Sequence, residues 1–260
     1  MSRTRDGGEA GRDGSARLIS ELRDAVRARD EFIAIAAHEL RNPMTPVLLR
    51  VSTLASMARK PGTSPETLAS GLEDLRAFVQ NYVKRATTLL DVSRITTGKL
   101  RLDPQPVGLS DLLRRVCKEA EPIARHVGSA LRLDIPDGIH GRWDPLAVEQ
   151  VVENLLSNAL KFGAGKPVEI MLSSEGEQVR LVIRDNGSGI SQGDQARIFE
   201  RFERALTGAK GSGFGVGLWL VGQLVDAMGG KVAVDSAVGA GSTFIVTLPL
   251  EPPDREGTDP

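Results

Sequence analysis

Leu68, Leu72, Leu75, Val79, Tyr82, Ala86 and Leu89 recur at alternating steps of four and three without a slip, the seam of a packed helix. Upstream, Leu40, Met44, Val47, Val51, Leu54 and Ala58 keep the same beat. Between them Arg59-Lys60-Pro61-Gly62-Thr63-Ser64-Pro65 is a turn by composition. The pattern predicts a helix from Arg17 to this turn and a second one ending at Thr96-Thr97-Gly98-Lys99, folded as an antiparallel hairpin. Leu48, Leu49, Phe78, Val83 and Leu90 widen the apolar surface beyond what one partner helix covers. The expected solution is an all-α hairpin that pairs with a second copy in a dimeric four-helix bundle, so the chain is expected to be a homodimer.

After Pro104 and Pro106 the pattern changes. Leu109 to about Val127 reads as a helix opened by Ser110 and Asp111, and Ala130 to Ile135 alternates like a strand. Asp144 and Pro145 open a helix through Phe162, with Asp at the cap and Pro in the first turn. Val168–Leu172 and Gln178–Arg184 predict a hairpin, Phe214–Met228 a helix, and Lys231–Asp235 with Thr243–Leu248 closing strands. Strands interleaved with helices, lacking a regular βαβ beat, predict an α+β sandwich. The expected organisation is multi-domain: a disordered arm at 1–16, the hairpin at 17–96, a linker at 97–106, the sandwich at 107–250 and a flexible tail at 251–260.

Composition narrows the classes. The 260 residues carry a net charge of -1, which gives no field to attract nucleic acid. No apolar run approaches the roughly 20 residues of a membrane helix, and the N-terminus has no signal core. A cytoplasmic location is expected, without a membrane segment. The single cysteine, Cys117, reads as a packed helix residue, and His126 and His140 read as structural.

Four stretches could carry chemistry. His38 lies off the first seam with Glu39 beside it and Asn42 a turn later, while Pro43 and Pro46 bend the helix just beyond. An imidazole with a carboxylate beside it can be made a nucleophile by proton removal. Asn154, Asn158 and Lys161 share one face of the 145–162 helix, opposite Val148, Val151, Leu155, Ala159 and Phe162. Carboxamide oxygens suit Mg²⁺ and a lysine suits phosphate. Asp185 closes a strand ahead of Gly187 and Gly189, as a fixed acceptor for an exocyclic amino group. Gly213, Gly215 and Gly217 precede a helix, an arrangement suited to anions, with Arg204 to Lys210 upstream as a flap. Each stretch alone has an ordinary counterpart in a solvated side chain, a polar helix face, a turn or a flexible loop.

Their order is more specific. His-Glu-x-x-Asn-Pro, Asn-x-x-x-Asn-x-x-Lys-Phe, Asp-x-Gly-x-Gly, Phe-x-x-Phe and Gly-x-Gly-x-Gly follow one another at domain-scale spacings, and this strongly resembles the sensor histidine kinases of two-component signalling. The resemblance implies a dimerisation and phosphoacceptor hairpin followed by a gyrase-type ATP-binding domain. It implies that His38 is phosphorylated from ATP, that Glu39 activates it, and that Asn42 positions water when the protein dephosphorylates its partner. Asn154 and Asn158 would hold Mg²⁺, Lys161 would contact phosphate, and Phe162 would lie near the nucleotide. Asp185 would take the adenine amino group, with Gly187 and Gly189 shaping its pocket. Phe199 and Phe202 would anchor a lid, Arg204 and Lys210 would be lid charges, and Gly213, Gly215 and Gly217 would serve the phosphates. The implied partners are an aspartate of a response-regulator receiver domain and a possible separate sensor protein. Ala37 and Gly163 depart from the family's common residues at positions that supply no atom to the transfer.

Overall fold

The computed structural model describes residues 44–163, 165–200 and 216–251, with positions 26, 33, 37 and 40 upstream. The arm expected at 1–16 and nearly all of the tail lie outside the described residues. The boundary between two compact units falls between Asp91 and Val92.

In the first unit, α1 (Met44–Ala58) is joined through Lys60–Gly62 to α2 (Pro65–Thr96), whose residues from Val92 onward belong to the second unit. Their contacts run antiparallel. Leu54 lies directly on Gly71, where a Cβ would overlap its Cδ2. One turn back, Arg50 bridges to Asp74 at 2.8 Å and lies 4.6 Å from the centroid of the Phe78 ring. The inner face of α1 is therefore Val47, Arg50, Leu54 and Met57, the less exposed positions, whereas Met44, Val51 and Ala58 of the expected seam face outward. Gly71 draws Leu54 in, and the Arg50 contacts turn the helix to follow it. The outer surface remains strongly apolar, with Leu48 61%, Leu49 67%, Val83 56% and Leu90 60% exposed. The helix α2 ends as expected. Gly98 takes φ 66°, while the Gly98 and Lys99 amides bond to the Ile95 and Arg94 carbonyls, a Schellman ending.

The second unit is a sandwich. Its sheet has the order β2 (Leu131–Asp134), β4 (Val168–Glu175), β5 (Gln178–Asp185), β7 (Gly241–Pro249), β6 (Lys231–Ala237). The β2–β4 pair is parallel and the others are antiparallel. Alternate residues such as Ile170, Leu181 and Val246 are buried, the period of a sheet with one covered face. Three helices, α3 (Leu109–His126), α4 (Pro145–Phe162) and α6 (Gly217–Ala227), supply the other layer of the core. The Asp144 carboxylate caps α4 as expected, accepting from the Leu146 and Ala147 amides at 2.9 and 3.1 Å. A short turn, α5 (Gln192–Gln195), is capped by Ser191. Among the described residues no helix is long and apolar enough to cross a membrane.

Two local expectations are corrected. Ser110 does not cap α3, whose cap position is Gly108. Its buried hydroxyl instead donates to the Pro136 carbonyl at 2.6 Å and accepts from the Ile139 amide. The stretch read as a linker holds structure: Leu100 and Leu102 pack against the sandwich core, the Asp103 amide bonds to Asp144, and Gln105 begins β1 (Gln105–Gly108). That strand pairs with β3 (His140–Trp143), which places His140 in a strand. The ribbon is fastened by Trp143, fully buried, whose indole donates to the Pro249 carbonyl at 2.8 Å.

Cys117 is buried as expected, and burial with the nearby Glu121 charge pushes its thiol up to about 11. It is a packed side chain without thiolate character.

Candidate functional site

The site is built where the end of α4, the loop after β5 and the start of α6 meet. Asp185, the last residue of β5, is buried, 3% exposed. Its Oδ1 accepts the Gly187 amide at 2.8 Å, and the Ser242 amide on β7 also bonds to the carboxylate. Burial raises its pKa above the ordinary aspartate value, and these two backbone bonds offset part of the rise. The carboxylate is a rigid acceptor in a dry setting.

Its surroundings require glycine at two points. A Cβ on Gly187 would overlap the Phe162 carbonyl, so the loop lies directly on the end of α4. Gly189 has φ 69° and sits against the Ala237 carbonyl. The Ser188 amide reaches the Phe162 carbonyl at 3.3 Å. Lys166 donates to the Asn186 carbonyl at 2.8 Å, and the Gly239 amide donates to the Ser188 carbonyl at 2.7 Å.

On α4, Asn154, Asn158 and Lys161 do share a face, with both asparagines half-buried and Lys161 exposed. The Asn154 amide nitrogen donates to the Gln150 carbonyl at 2.7 Å. This leaves its Oδ1 turned toward the first residue of α6, where a Cβ on Gly217 would come within 2.9 Å. The α6 cap position, Val216, makes no side-chain cap bond. Phe162 departs from its expected place on the core face. It is 40% exposed with the Lys161 ammonium 4.8 Å from its ring centroid, because the helix ends here and the apolar layer ends with it. Phe199 packs edge-on against Phe244, 6.5 Å between centroids, and adjoins the core.

The structure thus brings together Asn154, Asn158, Lys161, Phe162, Asp185, Gly187, Gly189 and Gly217, whereas Phe199 packs on Phe244 of the core. His38, Glu39, Asn42, Phe202, Arg204, Lys210, Gly213 and Gly215 lie outside the described residues. Sequence reasoning missed Ser242 and Ser236. Their signal was a polar side chain where the alternation of the closing strands calls for an apolar one.

A sandwich with a buried acceptor at a strand end and an asparagine face suits the nucleotide-binding class of protein, and in the sequence it follows a helical hairpin. Family models agree on both halves. The His Kinase A (phospho-acceptor) domain matches residues 28–98, and the Histidine kinase-, DNA gyrase B-, and HSP90-like ATPase matches residues 143–252. The chain belongs to the sensor histidine kinases of two-component signalling, as a transmitter core. It is 32% identical over 235 residues to the sensor protein EvgS of Escherichia coli O157:H7, covering 88% of this chain and 19% of that protein. With the alginate biosynthesis sensor protein KinB of Pseudomonas aeruginosa the identity is 33%, over 90% of this chain and 39% of that protein. The chain therefore spans well under half the length of these relatives. In fold it is similar to the Acinetobacter baumannii histidine kinase AdeS, with a TM-score of 0.59 at 22% identity over 82% of this chain and 98% of that one.

Proposed function

We propose that this chain autophosphorylates on His38 from ATP and passes the phosphoryl group to an aspartate of a response-regulator receiver domain. The observation that carries the reading is Asp185: a buried, doubly bonded carboxylate lying against the end of α4 at Gly163. In it, Asp185 accepts the exocyclic amine of adenine, and Phe162 lies beside the base or sugar. Lys161 neutralises phosphate oxygens, and the first amides of α6 from Gly217 take a further share of that charge.

The residues fit a bound Mg²⁺. Asn154 presents a carboxamide oxygen because its nitrogen is already bonded, Asn158 stands one turn on, and both are hard oxygen donors. Bound there, the ion would neutralise charge on the leaving diphosphate. An imidazole nitrogen of His38 attacks the γ-phosphorus as the bond to the bridging oxygen breaks and ADP leaves, while Glu39 takes the imidazole proton. The phosphoryl group then passes to a carboxylate oxygen of the receiver, freeing His38. Phe199 and Phe202 anchor a lid that carries Arg204 and Lys210, and Gly213 and Gly215 serve the phosphates with Gly217.

The outward apolar face of the hairpin supports a homodimer joined as a four-helix bundle, with 17–96 as the dimerisation domain and 107–250 as the ATP-binding domain. A cytoplasmic setting and a separate sensor protein complete the reading. The test is to incubate the chain with γ-labelled ATP and Mg²⁺, then add a receiver domain. The expected result is acid-labile label on the chain that moves to the receiver, with transfer lost in Asn158→Ala. A wild-type chain that binds ATP and takes up no label would overturn it.

A further inference from the structure

Gln195 closes the short turn α5, yet its side chain points back into the site's scaffolding. Its Nε2 donates to the Ile190 carbonyl at 3.0 Å and to the Ser236 carbonyl at 2.7 Å. Two carbonyl oxygens around one atom identify that atom as the amide nitrogen, with both hydrogens used. Ser236 interrupts the inward series Val232, Val234, Ser236 on β6. Its hydroxyl accepts the Ile190 amide at 2.8 Å, donates to the Gly241 carbonyl at 2.7 Å and lies 3.1 Å from the Ser242 hydroxyl. Ser242 in turn stands opposite Asp185 in the β5–β7 register and bonds to its carboxylate through the backbone.

The loop between Asp185 and Ile190 needs such support. Gly187 and Gly189 give it little intrinsic stiffness, and beyond the strand end Ile190 has no ladder partner for either of its backbone groups. Two side chains supply both: Ser236 takes its amide and Gln195 its carbonyl. Each of the two is half-buried, so water competes poorly for these bonds. The far end of the same loop rests on Asp185 through the Gly187 amide.

We infer that Gln195 and Ser236 are positioning residues for nucleobase recognition, clamping residues 186–190 so that Asp185 presents a fixed acceptor to the base. Neither touches the base; both act through Ile190 and Ser242. The inference rests on the reading of Asp185 as the base acceptor, and the experiment separates the two. Binding of ADP and of IDP, whose base lacks the exocyclic amine, is measured calorimetrically on the whole chain, with thermal unfolding in parallel. The wild type is expected to favour ADP. Gln195→Met, which keeps the shape without donors, and Ser236→Ala should each reduce that preference about tenfold, losing ADP affinity while IDP affinity holds. Gln195→Lys and Ser236→Thr, which restore a donor or the hydroxyl, should keep it. If Gln195→Met and Ser236→Ala retain the wild-type preference, the positioning role is wrong and the Asp185 reading stands. A parallel loss of ADP and IDP affinity with a falling Tm marks a merely structural role and overturns the proposal. Equal binding of both nucleotides by the wild type removes the Asp185 reading, and the positioning role with it.

Discussion

Leucine and valine do opposite things in the two units. In the sandwich, Leu113, Val152, Leu155 and Leu220 are wholly buried, and the sheet's covered face finds its second layer within the same chain. In the hairpin, Leu48, Leu49, Val83 and Leu90 are more than half exposed. The sandwich completes itself, whereas the hairpin has a face left to complete. A nucleotide site needs a rigid frame, and the sandwich provides one. In the proposed dimer the hairpin would draw its missing layer from the second copy.

That contrast can be broken most forcefully at Trp143. Replacing this buried ring with alanine should cost about 3–5 kcal/mol, read as an earlier denaturant transition of the sandwich. The oligomeric state should be unchanged. If assembly fails as well, the two units do not have separate cores.

The complementary test falls on the hairpin. Leu49→Asp combined with Val83→Asp should weaken self-association at least about 100-fold, read by sedimentation, with the sandwich transition unmoved. Leu146→Asp serves as a control, because Leu146 is also strongly exposed but belongs to the self-contained unit. If the control dissociates the protein equally, the outward face of the hairpin is not the interface.

A smaller effect is expected at Asp144, whose carboxylate caps α4 and holds the Asp103 amide at 3.0 Å. Asp144→Ala should cost about 1 kcal/mol and should raise amide exchange at Asp103 in the stretch leading into β1. Unchanged exchange would show that this tie contributes nothing.

The smallest effect sharpens the site. The folded pKa of Asp185 is raised, so the folded state binds the proton more readily than the unfolded chain. Its contribution to stability is therefore most favourable below the ordinary aspartate pKa and diminishes as pH rises toward the raised value; above that, the buried charge is a constant penalty. Asp185→Asn should leave stability at neutral pH equal or slightly higher while abolishing the preference for ADP over IDP. A marked loss of stability at neutral pH would mean that the ionised carboxylate is a structural necessity.

How far the sequence disclosed this depends on where the physics is local. The helix α4 was legible because Asp144 and Pro145 announce its start and Val148, Val151, Leu155 and Ala159 mark its buried face. Asn154, Asn158 and Lys161 then followed as a face, and Asp185 as a strand end. The β1–β3 ribbon was hidden: Pro104 and Pro106 look like linker residues, and His140-Gly-Arg-Trp143 does not alternate. Its stability comes from Trp143 reaching the distant Pro249 carbonyl, a contact no local window contains. Phe162 was misplaced because periodicity does not tell where the opposing layer stops. Arg50 was not anticipated on the inner face of α1, since its pairing with Asp74 and Phe78 depends on how the hairpin closes. Gln195 gave no local signal, since its role rests on a bond to Ser236 about 40 residues away.

The central claim is that a nucleotide held by the sandwich surrenders its terminal phosphate to one histidine of three. Mapping the phosphorylated residue on the intact chain after incubation with ATP and Mg²⁺ tests it most directly, using alkaline digestion and mass spectrometry. The account predicts phosphate on His38 and none on a His38→Ala chain that still binds ATP; phosphate on His126 or His140, or label persisting in His38→Ala, would contradict it.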